Sequence, residues 1–127
     1  MPAAPVPTPN APPVAGHYSP AVRAGDWLVL AGQIGFDPAS GRIPEGVGDQ
    51  ARQTLANIAT VLADCGAALT DVAKVTVFTT AIGNMAEIND VYSEAFGDHR
   101  PARSTIGVAA LPAGASIEIE VWAYVPA

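Results

Sequence analysis

At 127 residues with a net charge of −6, the chain is long enough for one buried core, and its acidity argues against non-specific binding to nucleic acid or anionic membranes. Half of its residues are hydrophobic but only 6% are aromatic, so the core is aliphatic and support from a subunit interface is expected. The single cysteine, Cys65, excludes an internal disulfide and favours a reducing compartment, the cytoplasm.

Residues 1–15 carry Pro2, Pro5, Pro7, Pro9, Pro12 and Pro13 and lack the positive start and apolar core of a secretory signal. They read as a disordered, partly polyproline-II arm, which leaves one domain over residues 16–127. No apolar run reaches the ~20 residues of a membrane-spanning helix. Residues 21–24 read as a short strand and Gly25-Asp26 as a hairpin turn. The run 27–34 is too apolar to face water along either side, so it reads as one central or interface strand. Gly32 within it permits close approach of another backbone or a ligand. Residues 37–48, with Pro38, Gly41, Pro44, Gly46 and Gly48, read as a loop.

Ala51, Leu55, Ile58 and Leu62 mark a helix over residues 49–63, with Asp49 in its first turn and Gly66 as a cap. Cys65 at its end reads as a small buried hydrophobe. Residues 71–80, rich in β-branched Val and Thr, read as a strand. Asn84 and Glu87 read as a capping box for a second helix. Its buried stripe is Met85, Ile88, Tyr92, Ala95 and Phe96, and its stop is Gly97. Asn89 neighbours that stripe. His17 and His99 fall in loops and give no transition-metal spacing.

The last two runs carry the chemistry. In the first, Arg103, Thr105 and Gly107 alternate with Ser104, Ile106 and Val108. After the turn at residues 111–114, Ile117, Ile119, Val121 and Ala123 alternate with Glu118, Glu120, Trp122 and Tyr124. A hairpin centred on Pro112 and Ala113 pairs Arg103 with Trp122 and gathers Arg103, Thr105, Glu118 and Glu120 on one face. An Arg on a half-buried strand needs an anionic partner. Two readings stay open: a structural Arg–Glu pair, or a guanidinium that holds a ligand carboxylate while Glu118 serves as a base. The order β-β-α-β-α-β-β suggests an α+β domain, a mixed sheet with both helices on one face. The other face is expected to be apolar and to need a partner.

Pro101-Ala102-Arg103-Ser104-Thr105, Leu111-Pro112 and Ile117-Glu118-Ile119-Glu120 closely resemble the end of the RidA/YjgF family. Further matches are Tyr18-Ser19-Pro20-Ala21-Val22, Ala31-Gly32-Gln33-Ile34, Gln50-Ala51-Arg52-Gln53-Thr54-Leu55-Ala56-Asn57, Lys74-Val75-Thr76-Val77-Phe78 and Asn89-Asp90-Val91-Tyr92. The resemblance implies a chorismate-mutase-like homotrimer with a pocket in each cleft between neighbours. It implies hydrolysis of enamine/imine intermediates of the 2-iminopropanoate or 2-iminobutanoate type to 2-oxo acids and ammonia, with no metal or organic cofactor. By the same resemblance, Arg103 anchors the substrate carboxylate and Glu118 polarises the attacking water. The Gly32 backbone and the Thr105 hydroxyl bond the nitrogen or the water, Tyr18 forms a wall, and Asn89 lies near the site. His17, Ala31, Gly35 and Gly107 depart from many relatives at the expected pocket rim and bear on the preferred substrate. Two alternatives stand beside this reading. One is a trimer that binds a small carboxylate without turnover. The other is a superfamily deaminase for aminoacrylate or aminomuconate-type compounds. A ribonuclease is opposed by the charge of −6.

Overall fold

The computed structural model describes residues 2–126. Its strands are β1 (Ala4–Pro5), β2 (Ala21–Ala24), β3 (Trp27–Leu30), β4 (Gln33–Ile34), β5 (Val72–Thr79), β6 (Ala102–Gly107) and β7 (Ile117–Tyr124). Two helices, α1 (Val47–Asp64) and α2 (Met85–Phe96), complete the α+β fold. The sheet runs β1-β2-β3-β7-β5-β6, with β4 also against β7. It is mixed, because β5 and β6 are parallel while the other pairings are antiparallel.

β7 sits in the middle of the sheet because its alternation demands two partners. Ile117, Ile119, Val121 and Ala123 are fully buried against the helices, while Trp122 and Tyr124 point the other way and are about half exposed. The hairpin between β6 and β7 expected from the sequence does not form. β6 instead runs parallel to β5, with Val75 opposite Arg103 and Val77 opposite Thr105. On its other edge β5 meets β7, with Val75 opposite Val121 and Phe78 opposite Glu118. The physical reason is α2, which lies between β5 and β6 and supplies the long crossover that a parallel pair requires. Since residues directly opposite in neighbouring strands share a face, Arg103 and Thr105 lie on the helix side and Glu118 and Glu120 on the open side. The expected grouping of all four on one face is thereby overturned.

The run 27–34 is also not one strand. Gln33 follows Val29 by four positions, but their partners Ile119 and Trp122 on β7 are only three positions apart. The extra residue makes a bulge at Ala31-Gly32, a device that re-aims the chain beside a site.

α1 ends as its sequence suggests. Gly66 has φ +75°, its N–H donates to Ala63 O, and the Ala67 N–H donates to Leu62 O, which together form a Schellman cap. The buried polar residues of α1 fix its neighbours. Asn57 Nδ2 donates to both Ile34 O and Phe36 O at 3.1 and 2.8 Å, and Gln50 Oε1 accepts from the Ser116 N–H at 2.8 Å. Asn57→Leu should therefore strand two carbonyls and cost about 2 kcal/mol or more of unfolding free energy, measured by denaturant titration. The capping box expected at α2 is absent. Asn84 makes no side-chain cap, and Glu87 instead accepts from the Gly48 N–H in the first turn of α1 at 3.2 Å. A 3-10 turn over Ile82–Asn84 runs directly into α2 and leaves no extended cap residue.

Residues 2–15 are seated, in contrast to the disordered arm over 1–15 read from composition, of which Met1 lies outside the described residues. Ala4 and Pro5 pair with Arg23 and Val22, and the Val6 N–H donates to Ala21 O at 3.0 Å. Asn10 donates from its backbone N and from Nδ2 to the two carboxylate oxygens of Asp64, at 2.9 and 2.7 Å. Val6 and Ala11 pack against the core. Proline content is blind to such contacts. A chain beginning at Gly16 should melt at least about 4 °C lower than the full chain, as expected for the loss of ~1 kcal/mol. An unchanged melting temperature would mean that the arm adds nothing.

Candidate active site

The bulge brings the Gly32 backbone against the Glu118 side chain. A Cβ placed on Gly32 would collide with the Glu118 carboxylate, so no other residue fits there without displacing it. Both residues line a cavity of about 660 Å³. Tyr18, Ala31, Phe36, Pro112 and Ala113 form further wall. Burial, and then the neighbouring Glu120 carboxylate, push the Glu118 carboxyl above its ordinary pKa. A carboxylate so placed borders an apolar cleft with the raised basicity that a general base needs. Gly32→Ala should shift that carboxylate and lower turnover by about tenfold or more, as measured misplacements of reacting groups do. A stopped-flow assay at saturating substrate reads the loss.

Arg103 is not part of this cavity within one chain. Its guanidinium lies over the Tyr92 ring of α2, 4.7 Å from the centroid. Among the described residues the only ion pair joins Arg52 to Asp49, so Arg103 has no carboxylate partner there, and an Arg103–Glu118 structural pair does not exist. Thr105 shares its face. The Tyr92 hydroxyl, and Asn89 Oδ1 one turn earlier on α2, are buried without hydrogen-bond partners. The six residues expected at the site thus fall into two groups. Tyr18, Gly32 and Glu118 share the cavity, whereas Asn89, Arg103 and Thr105 lie with α2 and β6.

Of the four departures from the family pattern, only Ala31 borders the cavity. Gly35 is buried in close packing, where a Cβ would lie 2.7 Å from Gln50 O, and Gly107 faces Ile82. His17 is exposed. Within one chain, then, Ala31 alone of the four meets the expectation of a pocket-rim position, and the buried Gly35 departs from it. The sequence reading missed a wall, since Pro12, Pro13, Val14 and Ala15 also line the cavity. The signal was there in their position directly before Tyr18. It also missed Tyr92, which follows Asn89 by one helical turn.

Other chemistry finds little support. Burial and the Asp64 carboxylate raise the Cys65 thiol above its ordinary pKa despite Arg23, which disfavours the thiolate nucleophile. Among the described residues no cluster of three or more His, Cys, Asp or Glu side chains is arranged to hold a metal ion. No helix there is long and apolar enough to cross a membrane.

A bulged strand and a half-buried carboxylate give this small α+β protein a cleft within the size range of small-molecule sites. The family model Endoribonuclease L-PSP matches residues 8–125, and the chain belongs to that family, whose RidA/YjgF motifs it carries. A RutC family protein of Pyrococcus horikoshii is 47% identical over 92% of this chain and 94% of its own length. A 2-iminobutanoate/2-iminopropanoate deaminase of Bos taurus is 43% identical over 89% of this chain and 83% of its own. The crystal structure of Escherichia coli TdcF with bound serine superposes with a TM-score of 0.89 at 37% identity, over 94% of this chain and 97% of that one.

Proposed function

We propose that the protein is a homotrimeric deaminase that hydrolyses 2-imino acids to 2-oxo acids and ammonia, with each site completed across a subunit boundary. The observation that carries this reading is the division of the site. Glu118 faces an apolar cavity with no cation, and Arg103 stands on the other side of the same sheet with no anion. A cation and a base that cannot meet within one chain can meet between two. The open sheet face supports association. Trp122 and Tyr124 are 46% and 48% exposed there, and Trp27 contacts both edge-on. Such an aromatic patch is costly to leave in water. The deaminase among the relatives supports the substrate class.

In this mechanism Arg103 takes the substrate carboxylate in two parallel hydrogen bonds. Asn89 and Thr105 accompany it, and Tyr18 and the Gly32 backbone border the reacting carbon. A water molecule attacks the imine carbon while Glu118 accepts one of its protons. Glu118 then returns that proton to the nitrogen to give the carbinolamine, whose hydroxyl proton passes by way of Glu118 to the amine as the C–N bond breaks and the C=O bond forms, and ammonia leaves with a 2-oxo acid. No electron transfer occurs and no cofactor is needed.

The decisive experiment mixes two impaired variants, assayed at substrate well below KM. Arg103→Ala and Glu118→Gln chains, unfolded together and refolded, should regain activity, because some boundaries then join an intact Arg103 to an intact Glu118. Imine supplied by a dehydratase, with 2-oxo acid followed, reads the rate. A site contained in one chain would show no recovery, and a wild-type protein that does not accelerate hydrolysis would refute the deaminase reading. Light scattering should give three times the 12.9 kDa of the chain. A second reading, carboxylate binding without turnover, is favoured by the relative solved with bound serine. Wild-type binding of 2-oxo acids without imine hydrolysis would establish it.

A further inference from the structure

We propose that Asp64, acting through Asn10, is a positioning residue that seats an apolar wall of the cavity and thereby selects ligands with longer aliphatic chains. The inference rests on the reading of the cavity as a 2-imino and 2-oxo acid site and names its preferred substrates.

Asp64 is the last residue of α1 and does not border the cavity. Both of its carboxylate oxygens accept from Asn10, one from the backbone N–H and one from the side-chain amide. That two-point grip fixes the orientation of the chain as well as its position. Only Ala11 separates Asn10 from the wall, and Pro12 and Pro13 then have their φ angles locked, so the fixed orientation carries forward. The Ala15 N–H reaches the Tyr18 hydroxyl at 3.5 Å, so the far end of the wall meets the site's aromatic residue. Upstream, β1 holds the arm to β2.

The wall is apolar, and so is what it faces. Pro12, Val14 and Ala15 share the cavity with Ile34 and Phe36, and the only polar side chains along its lining are Tyr18, Gln33 and Glu118. A ligand tail in such a cleft gains from each methylene it buries and finds few partners for a hydroxyl or a second carboxylate. The substrate class that fits is a 2-imino acid with an unbranched or branched alkyl chain, one that reaches beyond the methyl of 2-iminopropanoate.

Calorimetric binding of pyruvate, 2-oxobutanoate and 2-oxopentanoate to the full-length assembled protein tests this without requiring turnover. In the wild type each added methylene should tighten binding by about fourfold. In Asp64→Ala that step should shrink below about twofold, with the largest loss at 2-oxopentanoate. Asn10→Ala, which keeps the backbone N–H bond, and Asp64→Asn, which keeps one acceptor, should lie between, and the double Ala variant should lose no more than Asp64→Ala alone. A flat series in the wild type would overturn the inference alone. So would an unchanged step in Asp64→Ala, or a loss equal for all three ligands. No binding of any of the three would overturn the 2-oxo acid site itself, and this inference with it.

Discussion

Arg103→Ala should lower kcat/KM for a 2-imino acid by at least one to two decades, the equivalent of a charge-assisted hydrogen bond worth about 1.5–3 kcal/mol. The loss should fall mainly on KM, because a carboxylate anchor holds ground and transition states alike. Arg103→Lys keeps the charge but not the planar fork and should lie between. Stability should hardly change. Arg103 is on the exposed edge strand, and among the described residues it contacts a Tyr ring rather than a carboxylate, so its removal strands no buried anion. Thermal melting and imine hydrolysis on one Ala preparation check both halves. Hydrolysis at the wild-type rate would refute the anchor.

Glu118→Gln should lower kcat by roughly two to four decades, the range contributed by a positioned base, while binding of a 2-oxo acid persists. The pH dependence carries the sign. Burial raises the Glu118 pKa, so the basic form is lost at a higher pH than for an ordinary carboxylate, and the acid limb of kcat should lie correspondingly high. The stability effect runs the other way from that of a salt-bridged acid. A folded-state pKa above the unfolded value makes no contribution below the unfolded pKa and destabilises the fold as pH rises through the folded one. Glu118→Gln should therefore melt higher than the wild type at neutral pH, with the gain fading under acid conditions. A rate and a melting curve both unchanged by the substitution would remove Glu118 from the chemistry.

What the sequence disclosed and what it hid follow from the reach of each signal. Alternation along Ile117–Tyr124 and the 3.6-residue stripe of α1 are local, and both elements appear where the pattern puts them. Alternation says which residues share a face of one strand. It does not say which strand lies alongside, and for that reason Arg103 and Glu118 were assigned to one face when β5 separates their strands. The break at Ala31-Gly32 was invisible because both sides of a bulge remain apolar. The arm was misread because composition measures how much a segment can bury on its own, whereas Asn10 is held by one carboxylate at the end of α1. The family match, which begins at residue 8, already reaches into that arm.

The central place of β7 bears on how the protein comes into being. Its last residue, Tyr124, pairs with Trp27, and its first, Ile117, with Thr79, so neither half of the sheet is joined to the other before this strand arrives. On the ribosome the nascent chain must keep β3 and β5 apart and uncovered until β7 has left the exit tunnel. Synthesis halted before residue 117 would release a product with two half-sheets, each bearing an open edge. Such a product is a substrate for chaperones and proteases rather than a partly folded domain. Quality control of this protein is therefore close to all-or-none, and a pulse-labelled nascent chain should gain protease resistance only once β7 has emerged.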